Sequence, residues 1–151
     1  MRSRLLSLAT ALVLFTAALL KLQGCGRPDF AEPADVIALL DAPPPALAEQ
    51  LTAAEGQRLF IRHSCNNCHA VQGPERGAPV LRNLYVGEAK LRDGQSVRRD
   101  REYVARSILR SQEQIVAGYP QLMSNYQFLP AEDVAAIVLY LETLTPPAPG
   151  D

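Results

Sequence analysis

The sequence lacks an excess of charge of either sign, since 15 Lys and Arg residues stand against 16 Asp and Glu residues, for a net charge of −1. Proteins that bind nucleic acid usually carry a basic excess, so this balance argues against nucleic acid as a partner. At 151 residues the chain is also too short for two well-buried cores. We therefore expect one domain with appendages.

The chain also lacks an apolar run long enough to cross a bilayer comfortably. The apolar stretch at 5–20 has 16 residues, whereas a membrane-spanning helix needs roughly 20. Arg2 and Arg4 precede it, so residues 1–24 are predicted to be a signal peptide, with an uncleaved membrane anchor as the alternative. Either one implies export to a periplasmic or other extracytoplasmic compartment.

Cysteine is scarce, with three residues, of which two lie in one motif. The third, Cys25, follows Leu22-Gln23-Gly24 in a pattern that resembles the lipobox of bacterial lipoproteins, where the cysteine becomes lipidated. Because an unpaired thiol is otherwise unusual in an oxidising compartment, we expect Cys25 to carry a lipid anchor. The alternatives are anchoring by the uncleaved N-terminal helix and a soluble protein that loses Cys25 with its signal peptide.

Proline and alanine dominate residues 25–50, and this composition predicts an extended linker. The apolar group within 35–41 can form one helical turn but is too short to be a domain of its own. Prolines near the C-terminus predict a disordered tail at 146–151. The ordered domain is therefore expected at 51–145.

Two helices are predicted in the first part of this domain. Thr52 and Glu55 have the spacing of a capping box and open a helix that ends near His63. Asp100 is the expected N-cap of the next helix, which ends near residues 110–111.

A last helix and a small hairpin complete the prediction. Pro130 is suited to a first helical turn, and apolar residues recur at helical spacing from there to Leu144. Asp93-Gly94 is a turn signal for a hairpin within 90–97. No run indicates a larger sheet, so the predicted fold class is all-α.

The segment Cys65-Asn66-Asn67-Cys68-His69 is a C-x-x-C-H sequence, the attachment motif for c-type haem. Two cysteines three positions apart lie on one side of a helical turn, so both thiols can add to the vinyl groups of one porphyrin while His69 ligates the iron. The alternatives are a redox-active disulfide within the motif and half of a zinc site. Structural zinc usually needs four ligands, and only Cys25 and His63 remain as further Cys or His.

Few residues are left to ligate the other face of the iron. His63 lies two residues before Cys65, on the same side as His69, so we expect it to face solvent or to pack. Met123 is the only methionine beyond the initiator and lies in a polar loop, where core packing explains it weakly. We therefore expect the metal ligands to be His69 and Met123, the pairing of electron-transfer cytochromes c.

The chain from about residue 51 to 144 resembles class I cytochrome c, and most closely the cytochrome domain fused to subunit II of caa3-type terminal oxidases. Besides the haem motif, the matching positions are Gly56, Phe60, Gly77-Ala78-Pro79-Val80-Leu81, Asp93-Gly94, Tyr103, Ser107-Ile108-Leu109, Ile115-Val116-Ala117-Gly118-Tyr119, Met123, Tyr126 and Tyr140. The resemblance implies a class I cytochrome c fold, with three to five helices around one covalent haem c. It also implies that Gly56 lets the first and last helices cross closely, with Phe60 and Tyr140 packed at the crossing.

The same resemblance assigns residues around the cofactor. Pro79 would lie beside His69, with its carbonyl accepting the imidazole proton. The family's usual glycine before this proline is Ala78 here, which leaves the carbonyl role intact. Met123 and Tyr126 complete the predicted cofactor-binding set.

Oxidase subunit II also carries a dinuclear copper domain built from two Cys, two His and a Met, and this chain has no such set. A free-standing tethered cytochrome or a haem subunit of a respiratory complex is therefore predicted. A six-coordinate haem has no open position for substrate, so electron transfer is expected rather than catalysis. A catalytic or gas-sensing haem is the alternative if Met123 is not a ligand.

Redox proteins such as a quinol-oxidising complex and a terminal oxidase are the expected partners, with the membrane contacted through the N-terminus. We expect them to dock around the haem edge, where a mostly uncharged rim would be formed by Asn66, Asn67, Ala70, Val71 and the loop around Tyr119 to Met123.

Overall fold

A computed structural model describes residues 30–145 of the chain. Its elements are α1 (Pro33–Asp41), α2 (Pro45–Ala48), α3 (Ala53–Arg62), a 3₁₀ helix (Cys65–Asn67), β1 (Glu88–Lys90), β2 (Ser96–Arg98), α4 (Arg101–Leu109) and α5 (Ala131–Thr143). The all-α prediction is confirmed. No helix within the described residues is both long and apolar enough to span a membrane.

Three predictions concern residues outside the described range. They are the signal peptide or anchor at 1–24, lipidation of Cys25 and the tail at 146–151.

Local side-chain caps begin the two helices for which they were predicted. The Thr52 hydroxyl accepts a hydrogen bond from the Glu55 N–H at 3.1 Å, and the Asp100 carboxylate accepts one from the Tyr103 N–H at 2.9 Å. Each bond satisfies a backbone donor that has no partner within its helix. Only half of the predicted capping box forms, because the Glu55 carboxylate pairs with Arg58 instead.

The predicted hairpin is confirmed. Its strands pair antiparallel, with Ala89 opposite Val97. Asp93 accepts a hydrogen bond from the Gln95 N–H at 2.9 Å, and Gly94 takes a φ of 88°, a conformation that glycine adopts without a steric penalty.

The crossing of α3 and α5 is the centre of the core. Gly56 on α3 lies against the Ala136 carbonyl group on α5, and next to it the rings of Phe60 and Tyr140 pack with centroids 5.5 Å apart. Tyr140 and six other residues of α5 are buried, namely Val134, Ala135, Ala136, Ile137, Val138 and Leu141. The roles expected for Gly56, Phe60 and Tyr140 are therefore confirmed.

Replacing Gly56 tests this crossing. A Cβ at position 56 would overlap the Ala136 carbonyl oxygen and lie 2.5 Å from its carbon. Backbone cannot rotate away as a side chain can, so Gly56→Ala should separate the two helices. Although alanine improves helix propensity by about 1 kcal/mol, we expect a net loss of about 2–3 kcal/mol in the free energy of unfolding, measured by urea titration.

The matched control is Gln57→Ala, at an exposed position of the same helix. It should change the free energy of unfolding by less than about 0.5 kcal/mol. Equal stability of the two variants would show that the helices do not need the glycine.

The linker prediction for 25–50 needs correction, because α1 lies within it and packs on α4 and α5. Val36 is completely buried, and Pro33 is buried as well. Ion pairs hold both ends, from Glu32 to Arg110 and from Asp41 to Arg101. A helix of nine residues is marginal alone, but burial of its apolar side against the domain stabilises it.

Candidate haem site

The C-x-x-C-H motif occupies the turn that follows α3. Ser64 has a φ of 61°, in the left-handed region, and so redirects the chain out of the helix. The Cys65 carbonyl accepts hydrogen bonds from the N–H groups of Cys68 at 3.3 Å and His69 at 2.9 Å. The motif is thereby wound into one compact turn.

The two cysteines are free thiols with different exposure. Cys65 is half-buried and packs against the core, whereas Cys68 is exposed. Burial raises the pKa of the Cys65 thiol, and the neighbouring charge of Cys68 raises it further. No disulfide joins them, so both sulfur atoms are available for attachment.

His69 is oriented by the loop that carries Pro79. Its Nδ1 lies 3.0 Å from the Pro79 carbonyl oxygen, and this acceptor requires the proton to be on Nδ1. Nε2 then keeps a free lone pair for a metal. The loop is fixed beside the motif by hydrogen bonds from Leu81 N–H to the Ala70 carbonyl and from Arg82 N–H to the Val71 carbonyl, both 2.9 Å long.

Tyr126 is brought to the same motif from the loop before α5. Its hydroxyl donates to the His63 carbonyl at 3.5 Å, a long hydrogen bond. Burial raises the pKa of the Tyr126 hydroxyl, and the nearby charges of Cys65 and Cys68 raise it further. Tyr126 therefore lies within electrostatic reach of both thiols.

The second histidine packs beside the motif rather than pointing freely into solvent. The side chain of His63 is 19 % exposed, and its Nε2 lies 3.9 Å from the Asp133 carboxylate. This agrees with the packing role expected for it.

Met123 is half-buried in the loop between α4 and α5. Its carbonyl accepts a hydrogen bond from the Ser111 hydroxyl at 2.8 Å and a second from the Gln112 amide. Neither residue was predicted, because no periodicity or motif in the sequence links the end of α4 to this loop.

A further contact joins the loop after the haem motif to the loop before Met123. The Tyr119 hydroxyl donates to the Glu75 carboxylate, and the Arg92 guanidinium donates to the Tyr119 carbonyl at 2.7 Å. The hydrogen bond to Glu75 raises the pKa of the Tyr119 hydroxyl. These contacts are also outside the sequence predictions.

The predicted rim around the haem edge is only partly exposed. Asn66 and Asn67 are exposed and Val71 is half-buried. Ala70, however, is only 7 % exposed, and its carbonyl accepts a hydrogen bond from the Leu81 N–H in the Pro79 loop. Ala70 is therefore removed from the predicted rim.

Comparison with known protein families gives the decisive observation. A sequence model of the cytochrome c family matches residues 53–145. The chain belongs to the cytochrome c family. No curated protein matches it.

Family membership confirms the class I cytochrome c fold and an electron-transfer role rather than catalysis. Cytochromes c carry covalently bound haem c, and Cys65 and Cys68 fit its attachment motif.

The donor groups described above suit that cofactor. Two free thiols lie in one turn, and an imidazole beside them is fixed through Nδ1 with Nε2 available. The site therefore fits covalent haem.

Proposed function

We propose that this cytochrome c is a membrane-tethered monohaem carrier of single electrons between respiratory-chain partners on the outer face of the cytoplasmic membrane. The hydrogen bond between His69 and Pro79 carries the proposal, because it prepares an imidazole for iron directly after a C-x-x-C-H pair of thiols. The sequence contains one such motif, which supports one haem per chain.

Four side chains hold the cofactor in this proposal. Cys65 and Cys68 would attach the haem, and His69 and Met123 would ligate its iron. When bound, the haem supplies an iron that alternates between the ferric and ferrous states. With His69 and Met123 both ligating the iron, the protein would leave no coordination position for a substrate.

The surrounding residues tune this centre. The Pro79 carbonyl fixes the His69 tautomer and makes the imidazole a stronger donor. The Met123 thioether favours the ferrous state and so raises the potential. Tyr126 lies within electrostatic reach of both thiols.

The proposed partners are redox proteins, with a quinol-oxidising complex as the donor and a terminal oxidase as the acceptor. The likeness to the cytochrome domain of caa3-type oxidases supports an oxidase as acceptor. The exposed amides of Asn66 and Asn67 give an uncharged contact surface beside the cysteines, where an electron can leave over a short distance.

Cys25 is the proposed tether, through lipidation. The chain is packed against the domain from Ala31 onward, since Ala31 is 9 % exposed and Pro33 is buried. Six peptide units from Cys25 to Ala31 reach at most about 22 Å. A lipid on Cys25 would therefore keep the domain close to the membrane surface, where partner complexes are found.

One experiment tests the electron-carrier function and the lipid anchor on Cys25 separately. Cells that mature c-type haem should place the wild-type protein in the membrane fraction, where its haem titrates as a single one-electron centre. Cys25→Ser should move the protein to the soluble fraction with an unchanged midpoint potential. Retention of Cys25→Ser on membranes would contradict lipid anchoring, and peroxide turnover in place of a one-electron titration would contradict the carrier function.

A further inference from the structure

The loop with Met123 is fastened to the end of α4 at three points. Ser111 and Gln112 both donate to the Met123 carbonyl, and the Tyr126 N–H donates to the Ile108 carbonyl at 3.2 Å. Both side-chain donors come from consecutive residues just after Arg110, the C-cap of α4, and converge on one carbonyl oxygen.

This pair of donors is itself connected. The Gln112 amide nitrogen lies 3.2 Å from the Ser111 hydroxyl oxygen, and the Asn125 amide oxygen lies 2.9 Å from the same hydroxyl. Ser111 accepts a hydrogen bond from the Gln112 amide, and its one hydroxyl proton is shared between the Met123 carbonyl and the Asn125 amide oxygen. The residues on both sides of Ser124 are therefore held by one hydrogen-bond network.

Ion pairs with other parts of the chain hold the turn that carries Ser111 and Gln112. Arg110 pairs with Glu113 at 3.1 Å and with Glu32, which precedes α1. Glu113 also accepts from Arg106 at 3.5 Å. The turn at 110–113 is consequently tied to α4 and to the N-terminal segment, and it can act as a fixed support for the Met123 loop.

We propose that Ser111 and Gln112 are positioning residues that hold the Met123 thioether in place for iron ligation. The inference rests on the proposed function, in which Met123 is the second axial ligand. A thioether is a weak iron ligand, and Met123 lies on a loop without regular structure. The fraction of molecules in which Met123 is bound to the iron therefore depends on how often the loop moves away from it. Two hydrogen bonds to the backbone of the ligand residue oppose that movement.

The test compares the Ser111→Ala/Gln112→Ala double variant with wild type in the haem-loaded protein. Two readouts report on Met123: the weak sulfur-to-iron band of the ferric protein at the red edge of the spectrum, and the rate at which carbon monoxide binds the ferrous protein. Carbon monoxide binds when the loop opens, and loss of two hydrogen bonds should raise the open fraction and this rate about tenfold to hundredfold. The band should weaken in parallel.

Matched controls come from the same loop. Gln121→Ala and Ser124→Ala alter exposed side chains to which the structure gives no hydrogen bond within residues 30–145, and both should behave as wild type. Ser111→Thr keeps the hydroxyl and should retain most of the band. Gln112 is exposed, so Gln112→Ala alone gives a folded test, with a smaller effect in the same direction, if the double variant does not fold.

The outcomes separate this inference from the proposed function. A wild-type protein without the band would overturn Met123 ligation itself. A wild-type band that persists unchanged in the double and Gln112→Ala variants, with the wild-type carbon monoxide rate, would overturn the positioning role alone. Equal effects in the two control variants would overturn it as well, because any change in the loop would then suffice.

Discussion

Cells that make Cys65→Ala/Cys68→Ala should yield a chain with no covalently bound haem. Each thioether needs one of these sulfur atoms, and among the described residues there is no third cysteine to replace them. Haem staining after denaturing electrophoresis, with the intact mass as a second measure, should show full attachment in wild type and none in the double variant.

Cys25→Ser is the matched control, since it removes a thiol elsewhere in the chain and should leave haem attachment unchanged. The same experiment decides among the three interpretations of the motif. A wild-type chain whose mass shows a disulfide or a bound zinc ion, with no haem, would contradict haem attachment at Cys65 and Cys68.

Met123→Ala should change the redox and binding properties of the haem while leaving it attached. Removal of the thioether takes away the proposed ligand that favours ferrous iron, so the midpoint potential should fall by more than about 0.1 V, within the range of about 0.8 V that iron ligands can set. The open position should also let carbon monoxide bind the ferrous protein without waiting for the loop to move.

Gln121→Ala, two residues away and exposed, should match wild type in both measurements. A Met123→Ala protein with wild-type potential and slow carbon monoxide binding would show that the iron draws its second ligand from elsewhere. The Met123 loop would then have no role in ligating the iron.

Features determined by neighbouring residues could be predicted from the sequence. The caps at Thr52 and Asp100 depend on a side chain and a backbone N–H three residues apart, and both form. The hairpin turn at Asp93-Gly94 and the haem motif are similarly local. A short spacing along the chain is enough to specify each of them.

Apart from contacts implied by the family resemblance, such as the helix crossing at Gly56 and the His69–Pro79 hydrogen bond, features that depend on distant residues could not be predicted. The proline and alanine content of 25–50 predicts a linker for the segment that forms α1. Composition alone does not show that this segment covers an apolar surface on α4 and α5. The hydrogen bond from the Tyr119 hydroxyl to the Glu75 carboxylate joins residues 44 positions apart. The hydrogen bonds of Ser111 and Gln112 to Met123 likewise depend on where the loop returns after α4.

The presence of α1 in place of a flexible linker affects how far the haem domain can move from its proposed anchor. A flexible linker of 25–50 would let the haem domain move far from its anchor, whereas the packed α1 leaves a short connection before Ala31. With a lipid on Cys25, as proposed, the carrier would be held near the membrane and should exchange electrons with membrane complexes rather than with distant soluble partners.

The absorption spectrum of the oxidised wild-type protein at the red edge of the visible range tests the central claim most directly. Ligation by His69 and Met123 predicts the weak band of a sulfur-ligated ferric haem, present in wild type and absent from Met123→Ala. A wild-type ferric protein that lacks this band would contradict Met123 ligation and favour an open haem that catalyses a reaction or binds gas.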